Sequence, residues 1–237
     1  MKNTVLHKAD TRGYADHGWL QSFHSFSFGD YYNSERMHFG ALRVLNDDTF
    51  AASTGFGLHP HKDMEIITIM LEGDLEHQDN MGTSFIHKDD IQAISAGTGI
   101  RHSAYNKHKY KPLNLLQIWV MPSKKNITPQ YNQISLKKDD RKNKLQQILS
   151  PNANDEGVWI HQNAWFYMGD LEKGVSVEYS VKIPENGLYV FVISGNLLIN
   201  GQELSTRDGY GIWNTPTIKL DAIDDSVVLI MEVPMTI

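Results

Sequence analysis

The chain contains no cysteine. That absence removes disulfide scaffolds, thiolate zinc sites and cysteine nucleophiles together. Long hydrophobic runs are missing as well: stretches such as Val227–Met231 fall far short of the ~18 residues of a membrane span. The opening segment MKNTVLHKADTRG carries no apolar stretch of the secretory kind, so a soluble, cytoplasmic protein is expected. Positive charge is in deficit, with 22 Lys+Arg against 28 Asp+Glu, a net charge of −6 and a pI near 6.0. Such a balance does not suit a protein dominated by phosphate binding. No Walker loop, dinucleotide fingerprint or serine elbow occurs. Histidine is nearly absent from the second half. Ten of the 11 histidines lie between His7 and His108, and only His161 follows. An imidazole site therefore belongs to the first half.

What is present points to β-structure. Hydrophobic residues make up 41% of the 237 residues and charged ones 21%, enough for a proper core and too apolar for global disorder. Length allows one large domain or two modest ones. Gly40–Leu45 reads as a strand that ends at Asn46-Asp47-Asp48, side chains that tolerate turns. Glu65–Leu71 is β-branched and stops at Gly73, and Leu115–Met121 is apolar on both faces until Pro122 ends it. Helical periodicity is weak everywhere except over the short, charged stretch 138–149. Short strands with Gly-rich turns between them indicate a barrel or sandwich.

The second half repeats this style. Ile66–Leu75, centred on Gly73, and Val190–Leu197, centred on Gly195, both read as a strand, a glycine turn and a returning strand, which implies a diverged internal duplication. The expected organisation is an N-terminal barrel over residues 1–136, a Lys-rich linker over 137–150, and a C-terminal barrel over 151–237. Residues 101–144 hold 11 of the 22 basic residues and two acids, so this tract is +9 and the remainder −15. Its basic part, 107–144, reads as a solvated loop and interdomain linker, with an electrostatic patch for an acidic partner as the functional alternative. Lacking interleaved aromatics, and with no helix-turn-helix in the chain, it gives no support for direct nucleic-acid binding.

Chemistry concentrates at His59-Pro60-His61. On a strand, residues i and i+2 share a face, so both imidazoles are expected to reach one metal ion. Glu65 has the same parity. Some 41 residues on, the glycine turn Gly97-Thr98-Gly99 delivers His102. A metal site on His59, His61 and His102 is expected. His77 is placed to support it from behind, whereas His17, His24 and His38 read as structural.

Gly55-Phe-Gly-Leu-His-Pro-His-Lys-Asp-Met-Glu65 and Ile91–Ser103 resemble the pirin family. So do Phe26-Ser-Phe-Gly-Asp-Tyr-Tyr32 and Leu42-Arg-Val-Leu-Asn-Asp-Asp48, and the resemblance spans nearly the whole chain. It implies an all-β fold of two cupin barrels in one chain, with one divalent transition metal (Fe, Ni, Cu, Zn or similar) in the N-terminal barrel and none in the C-terminal one. It also implies either quercetin 2,3-dioxygenase activity on a flavonol, or a non-enzymatic role as a metal-binding regulatory or protein-interaction module. The family ligands are three histidines and a glutamate. His59, His61 and His102 match, but the glutamate position is occupied by Ala104. By the resemblance that glutamate is both ligand and catalytic base, so weakened metal binding and low turnover are expected, with Glu65 as a candidate substitute. Phe23, Phe26, Phe28, Tyr31, Tyr32 and Phe39 crowd one early segment and are expected either to line an aromatic pocket or to plug the barrel.

Overall fold

Alternation of apolar residues along short strands is resolved in the computed structural model, which describes residues 3–236, as two stacked β-barrels. The first half supplies β1 (Thr4–His7), β2 (Gly13–Asp16), β3 (Leu20–His24), β4 (Leu42–Phe50), β5 (Gly55–His61) and β6 (Glu65–Glu72). It continues with β7 (Asp74–Asp79), β8 (Gly82–His87), β9 (Asp90–Ser95), β10 (Ile100–Tyr105), β11 (Leu113–Val120) and β12 (Gln130–Ser135). After the single helical turn α1 (Lys138–Arg141) come β13 (Gln146–Ser150), β14 (Val158–Trp159), β15 (Trp165–Leu171), β16 (Ser176–Ser180) and β17 (Asn186–Ser194). The chain closes with β18 (Asn196–Ile199), β19 (Gln202–Ser205), β20 (Gly209–Trp213), β21 (Thr217–Ala222) and β22 (Ser226–Pro234).

In the N-terminal barrel a seven-stranded sheet, ordered β12-β9-β6-β11-β4-β3-β2, faces a four-stranded sheet ordered β5-β10-β7-β8. The C-terminal barrel repeats the plan with β1-β20-β17-β22-β15-β13-β14 over β16-β21-β18-β19. The two large sheets share one core. Ile67, Ile69, Leu116 and Ile118 from the first meet Tyr189, Phe191, Leu229 and Met231 from the second. Alternate residues of the same strands point the other way, into their own barrels, which is why runs such as 115–121 are apolar at nearly every position. Ion pairs add to this seam: Arg141 reaches Asp89 at 2.6 Å and Asp170 at 2.9 Å, and Arg207 reaches Asp47 at 2.9 Å.

Several expectations change here. The stretch 137–150 is not a free linker, because it contains α1 and the strand β13. Residues 4–7 lie in the sheet of the C-terminal barrel, where β1 covers β20 in register (Thr4 opposite Ile212) and satisfies an edge that would otherwise present unpaired backbone groups. The tract 107–144 is likewise not all loop, since it holds β11, a central strand. The two glycine turns are corners rather than hairpins: β6 and β7 belong to different sheets, as do β17 and β18. Gly73 (φ +81) and Gly195 (φ +86) make these corners, and a Cβ at Gly195 would lie 2.3 Å from the carbonyl oxygen of Asp225. No helix among the described residues is long and apolar enough to cross a membrane.

Candidate metal centre

Three histidines are brought together by the pairing of β5 with β10. His102 lies opposite His59 and Ile100 opposite His61. Gly97 (φ +46) turns the chain into β10 against the carbonyl of Ile127, where a Cβ would sit at 2.0 Å. The ring centroids of His59, His61 and His102 are 4.5 to 4.9 Å apart, and one nitrogen from each ring lies within 4.8 Å of the others. The register shifts between His102 and Ala104, so Ala104 pairs with Phe56. Phe56 therefore joins His59 and His61 on the inner face.

Hydrogen bonds orient the rings. Nδ1 of His59 donates to the carbonyl of Gly57 at 2.8 Å, which leaves Nε2 as a lone pair. His77 Nε2 donates to Asp79 at 2.9 Å, so its Nδ1 faces the Nδ1–H of His102 at 3.4 Å. Asp79 is itself held by the backbone N–H groups of Met81 and Gly82. Oriented in this way, His102 presents Nε2 as an acceptor, and that atom is buried without a hydrogen-bond partner. A buried lone pair left unpaired is unfavourable, and a metal ion would satisfy it. Burial, reinforced by His59, pushes His61 down to about 4, and burial with the other imidazoles pushes His102 down to about 3. Both are neutral at pH 7, the form in which imidazole ligates.

The cluster opens onto a cavity of about 510 Å³ inside the N-terminal barrel, within the usual size range of a small-molecule site. Its apolar walls come from Trp19, Phe50, Phe56, Leu115 and Trp119, and Ala104 lies among them. The early aromatic segment contributes Phe28 alone. Phe26 and Phe39 pack on Tyr189 in the seam between barrels, Phe23 is 37% exposed and Tyr32 is 73% exposed. His17 and His24 line the cavity too, whereas His38 bonds the carbonyl of Gly40 at 3.0 Å.

Glu65 is not placed to substitute as a ligand. Asp63 (φ +48) lies in the bend between β5 and β6, so the parity shared with His59 and His61 does not carry across. The Glu65 carboxyl instead accepts from Ser95 at 2.6 Å and from the backbone N–H of His161, and burial pushes it up to about 7. No carboxylate joins the three histidines among the described residues. Asn46-Asp47-Asp48 is also not a turn, because β4 runs straight through it. Asn46 and Asp48 face the cavity, and Asp47 faces the seam. Ser22 donates to Asp48, whose carboxyl burial and the neighbouring Asp47 push up to about 7. Asn46 and Asp48, two apart and so on one face of the strand, were the available signal that β4 lines a cavity.

A family model described as pirin matches residues 5–120, and one described as the quercetinase C-terminal cupin domain matches residues 147–233. The chain belongs to the pirin family. A quercetin 2,3-dioxygenase from Escherichia coli K12 is 45% identical to this pirin over 230 residues, 97% of this chain and 98% of the relative. A pirin-like protein from Caulobacter vibrioides is 37% identical over 225 residues, covering 94% and 96%. The crystal structure of the bacterial pirin YhhW from E. coli in complex with nickel(II) covers 98% of this pirin and 99% of that chain, at 44% identity and a TM-score of 0.92.

Proposed function

We propose that this pirin holds one divalent first-row transition metal on His59, His61 and His102 and uses it, with O2, to open the oxygen-bearing ring of a flavonol. The observation that carries this reading is three converging imidazoles on the wall of an apolar cavity of about 510 Å³. The E. coli relative named quercetin 2,3-dioxygenase supports the choice of reaction. When bound, the metal supplies Lewis acidity toward an enolic oxygen of the substrate. The chain supplies the rest. Trp19, Phe50, Phe56 and Trp119 hold flat rings and exclude water. Asp79 and His77 fix the ring of His102. Asp48 is the one buried carboxyl in the cavity lining, and with its affinity for protons raised to about 7 it is suited to take up the hydroxyl proton of the substrate.

Ala104 favours a second reading. It stands in the cavity wall where the family pattern has a glutamate, and a methyl group neither ligates nor accepts a proton. A metal-binding pirin with a regulatory or protein-binding role is consistent with that loss. Metal content after loading with Fe, Ni or Cu, followed by oxygen uptake with quercetin, separates the two. Metal at one ion per chain with quercetin-dependent uptake supports the enzyme, and metal without uptake supports the module.

A further inference from the structure

A polar row crosses the cavity-facing side of the large N-terminal sheet. His24 pairs with Asn46, Asn46 with Gln117, Gln117 with Thr68, and Thr68 with Gln92, one residue from each of β3, β4, β11, β6 and β9. All five line the cavity. Four inter-strand steps of ~4.8 Å carry the row over roughly 19 Å. The row on one flank is mixed, running Ser22, Asp48, Leu115 and Met70, and the row on the other is apolar, running Val44, Trp119, Ile66 and Ile94.

The hydrogen bonds along part of this row run in one direction. The indole Nε1 of Trp119 is a donor only, so the Gln117 amide must turn its Oε1 to it, at 3.1 Å. Its Nε2 then donates to Thr68 Oγ1 at 3.1 Å, and the Thr68 hydroxyl donates onward to Gln92 Oε1 at 3.0 Å. The indole fixes the Gln117 amide, and the Thr68 hydroxyl, having accepted from it, uses its own hydrogen on Gln92 Oε1. The chain ends at Gln92 Nε2, which is buried and has no partner. Gln92 itself is 2% exposed. A buried amide N–H without an acceptor is unfavourable unless something arrives to fill it.

We propose that Gln92 is a specificity-determining residue, whose Nε2–H₂ donates to an oxygen substituent of a planar, oxygen-rich aromatic bound in the cavity. That oxygen is one other than the enolic oxygen toward which the metal would act. The inference rests on the reading of this cavity as the flavonol site, and it adds which edge of the substrate is recognised. Sites that hydrogen-bond a substrate oxygen discriminate against analogues lacking it, because the protein group is then left unpaired. The Trp119–Gln117–Thr68 chain acts by positioning: it holds Gln92 as a donor and prevents the amide from flipping to present its carbonyl.

The test is anaerobic binding to the nickel-loaded protein, read as quenching of tryptophan fluorescence, of quercetin and of 3-hydroxyflavone, which keeps the metal-binding oxygens and lacks the other hydroxyls. Wild type is expected to prefer quercetin by about tenfold, the scale of one well-made hydrogen bond. Gln92→Met keeps the side-chain volume and is expected to lower quercetin affinity about tenfold while leaving 3-hydroxyflavone within twofold. Gln92→Leu, which removes the donor with a different shape, should give the same selective loss. Thr68→Val leaves the amide but removes the hydroxyl that orients it, so the preference should fall by about threefold, an effect that simple packing would not confine to one ligand. A quercetin preference kept by both Gln92→Met and Gln92→Leu overturns the inference and leaves the flavonol reading standing. Binding of neither compound to wild type overturns the flavonol reading itself.

Discussion

The two barrels share a plan and differ in what fills them. In the C-terminal barrel the interior is closed by aliphatic and aromatic side chains such as Val190, Leu197, Leu220 and Ile230. One row across its large sheet reads Tyr210, Val190, Ile230 and Tyr167, all turned into that core. In the N-terminal barrel the row His24, Asn46, Gln117, Thr68, Gln92 lines a cavity instead, and three imidazoles face it. The same fold therefore serves as a packed support in one half and as a vessel in the other. Buried polar side chains lower stability unless paired, so such a row is retained where a ligand is to be met and is absent where packing alone is required.

The sharpest way to break this comparison is to remove the imidazoles. His59→Ala or His102→Ala is expected to lose most bound metal and leave the fold intact, since the barrel rests on apolar burial. Metal analysis beside circular dichroism checks this, and unfolding of the variants at ambient temperature would make the metal structural. Conversely, loading the wild type should stop near one ion per chain, because the three-histidine cluster is confined to the first barrel among the described residues.

Core truncation tests the packed half against the hollow one. Ile230→Ala in the C-terminal core should destabilise by about 2–5 kcal/mol, as buried aliphatic truncations do. Leu115→Ala, whose side chain already borders the N-terminal cavity, should fall near the lower end of that same ~2–5 kcal/mol range. Urea midpoints of the two variants measure the difference, and equal losses would mean the cavity wall is packed as tightly as the core.

Restoring a carboxylate sharpens the contrast in chemistry. Residues 102 and 104 share strand parity and Ala104 lines the cavity, so Ala104→Glu is expected to tighten metal binding. Turnover of quercetin should rise at least ~10-fold, below the ~10²–10⁴ that a well-placed base supplies. Matched metal titrations and quercetin-decay assays report it. Tighter metal binding with unchanged turnover would leave the base role with Asp48, and unchanged values of both would mean that a carboxylate at 104 does not reach the histidines.

The smallest expected effect is on pH dependence. Asp48 holds its proton more tightly folded than unfolded, because burial raises it from 3.8 to about 7. The folded state thus binds more protons between those values, so this group favours folding fully below about pH 4, and that contribution is lost as pH rises through about 7. Asp48→Asn should flatten the decline in urea midpoint between pH 5 and pH 8 in metal-free protein. An unaltered slope would place the titration elsewhere, with Glu65, pushed in the same direction, as the next group to replace.

Much of the site was legible because it is local. His59 and His61 are two apart on one strand, and a glycine turn announces His102. Glu65 misled because parity holds only within a strand, and β5 and β6 lie in different sheets. The early aromatics misled because an apolar face in one barrel and the seam between barrels look alike in a sequence: Phe26 and Phe39 went to the seam. Asn46 and Asp48 were hidden by turn propensity, which tertiary burial overrode in β4.

By itself, then, the amino-acid order determined most strand positions, the glycine turns, the duplicated halves and the three metal-binding candidates, all set by spacing and backbone preference within a few residues. Only the tertiary structure decided which face of each strand met a cavity, a core or the other barrel, that β1 would close the far sheet, and that Gln92 would end a hydrogen-bond chain with a free donor. Those outcomes depend on register between strands distant in sequence, and register is fixed by the closure of the whole barrel.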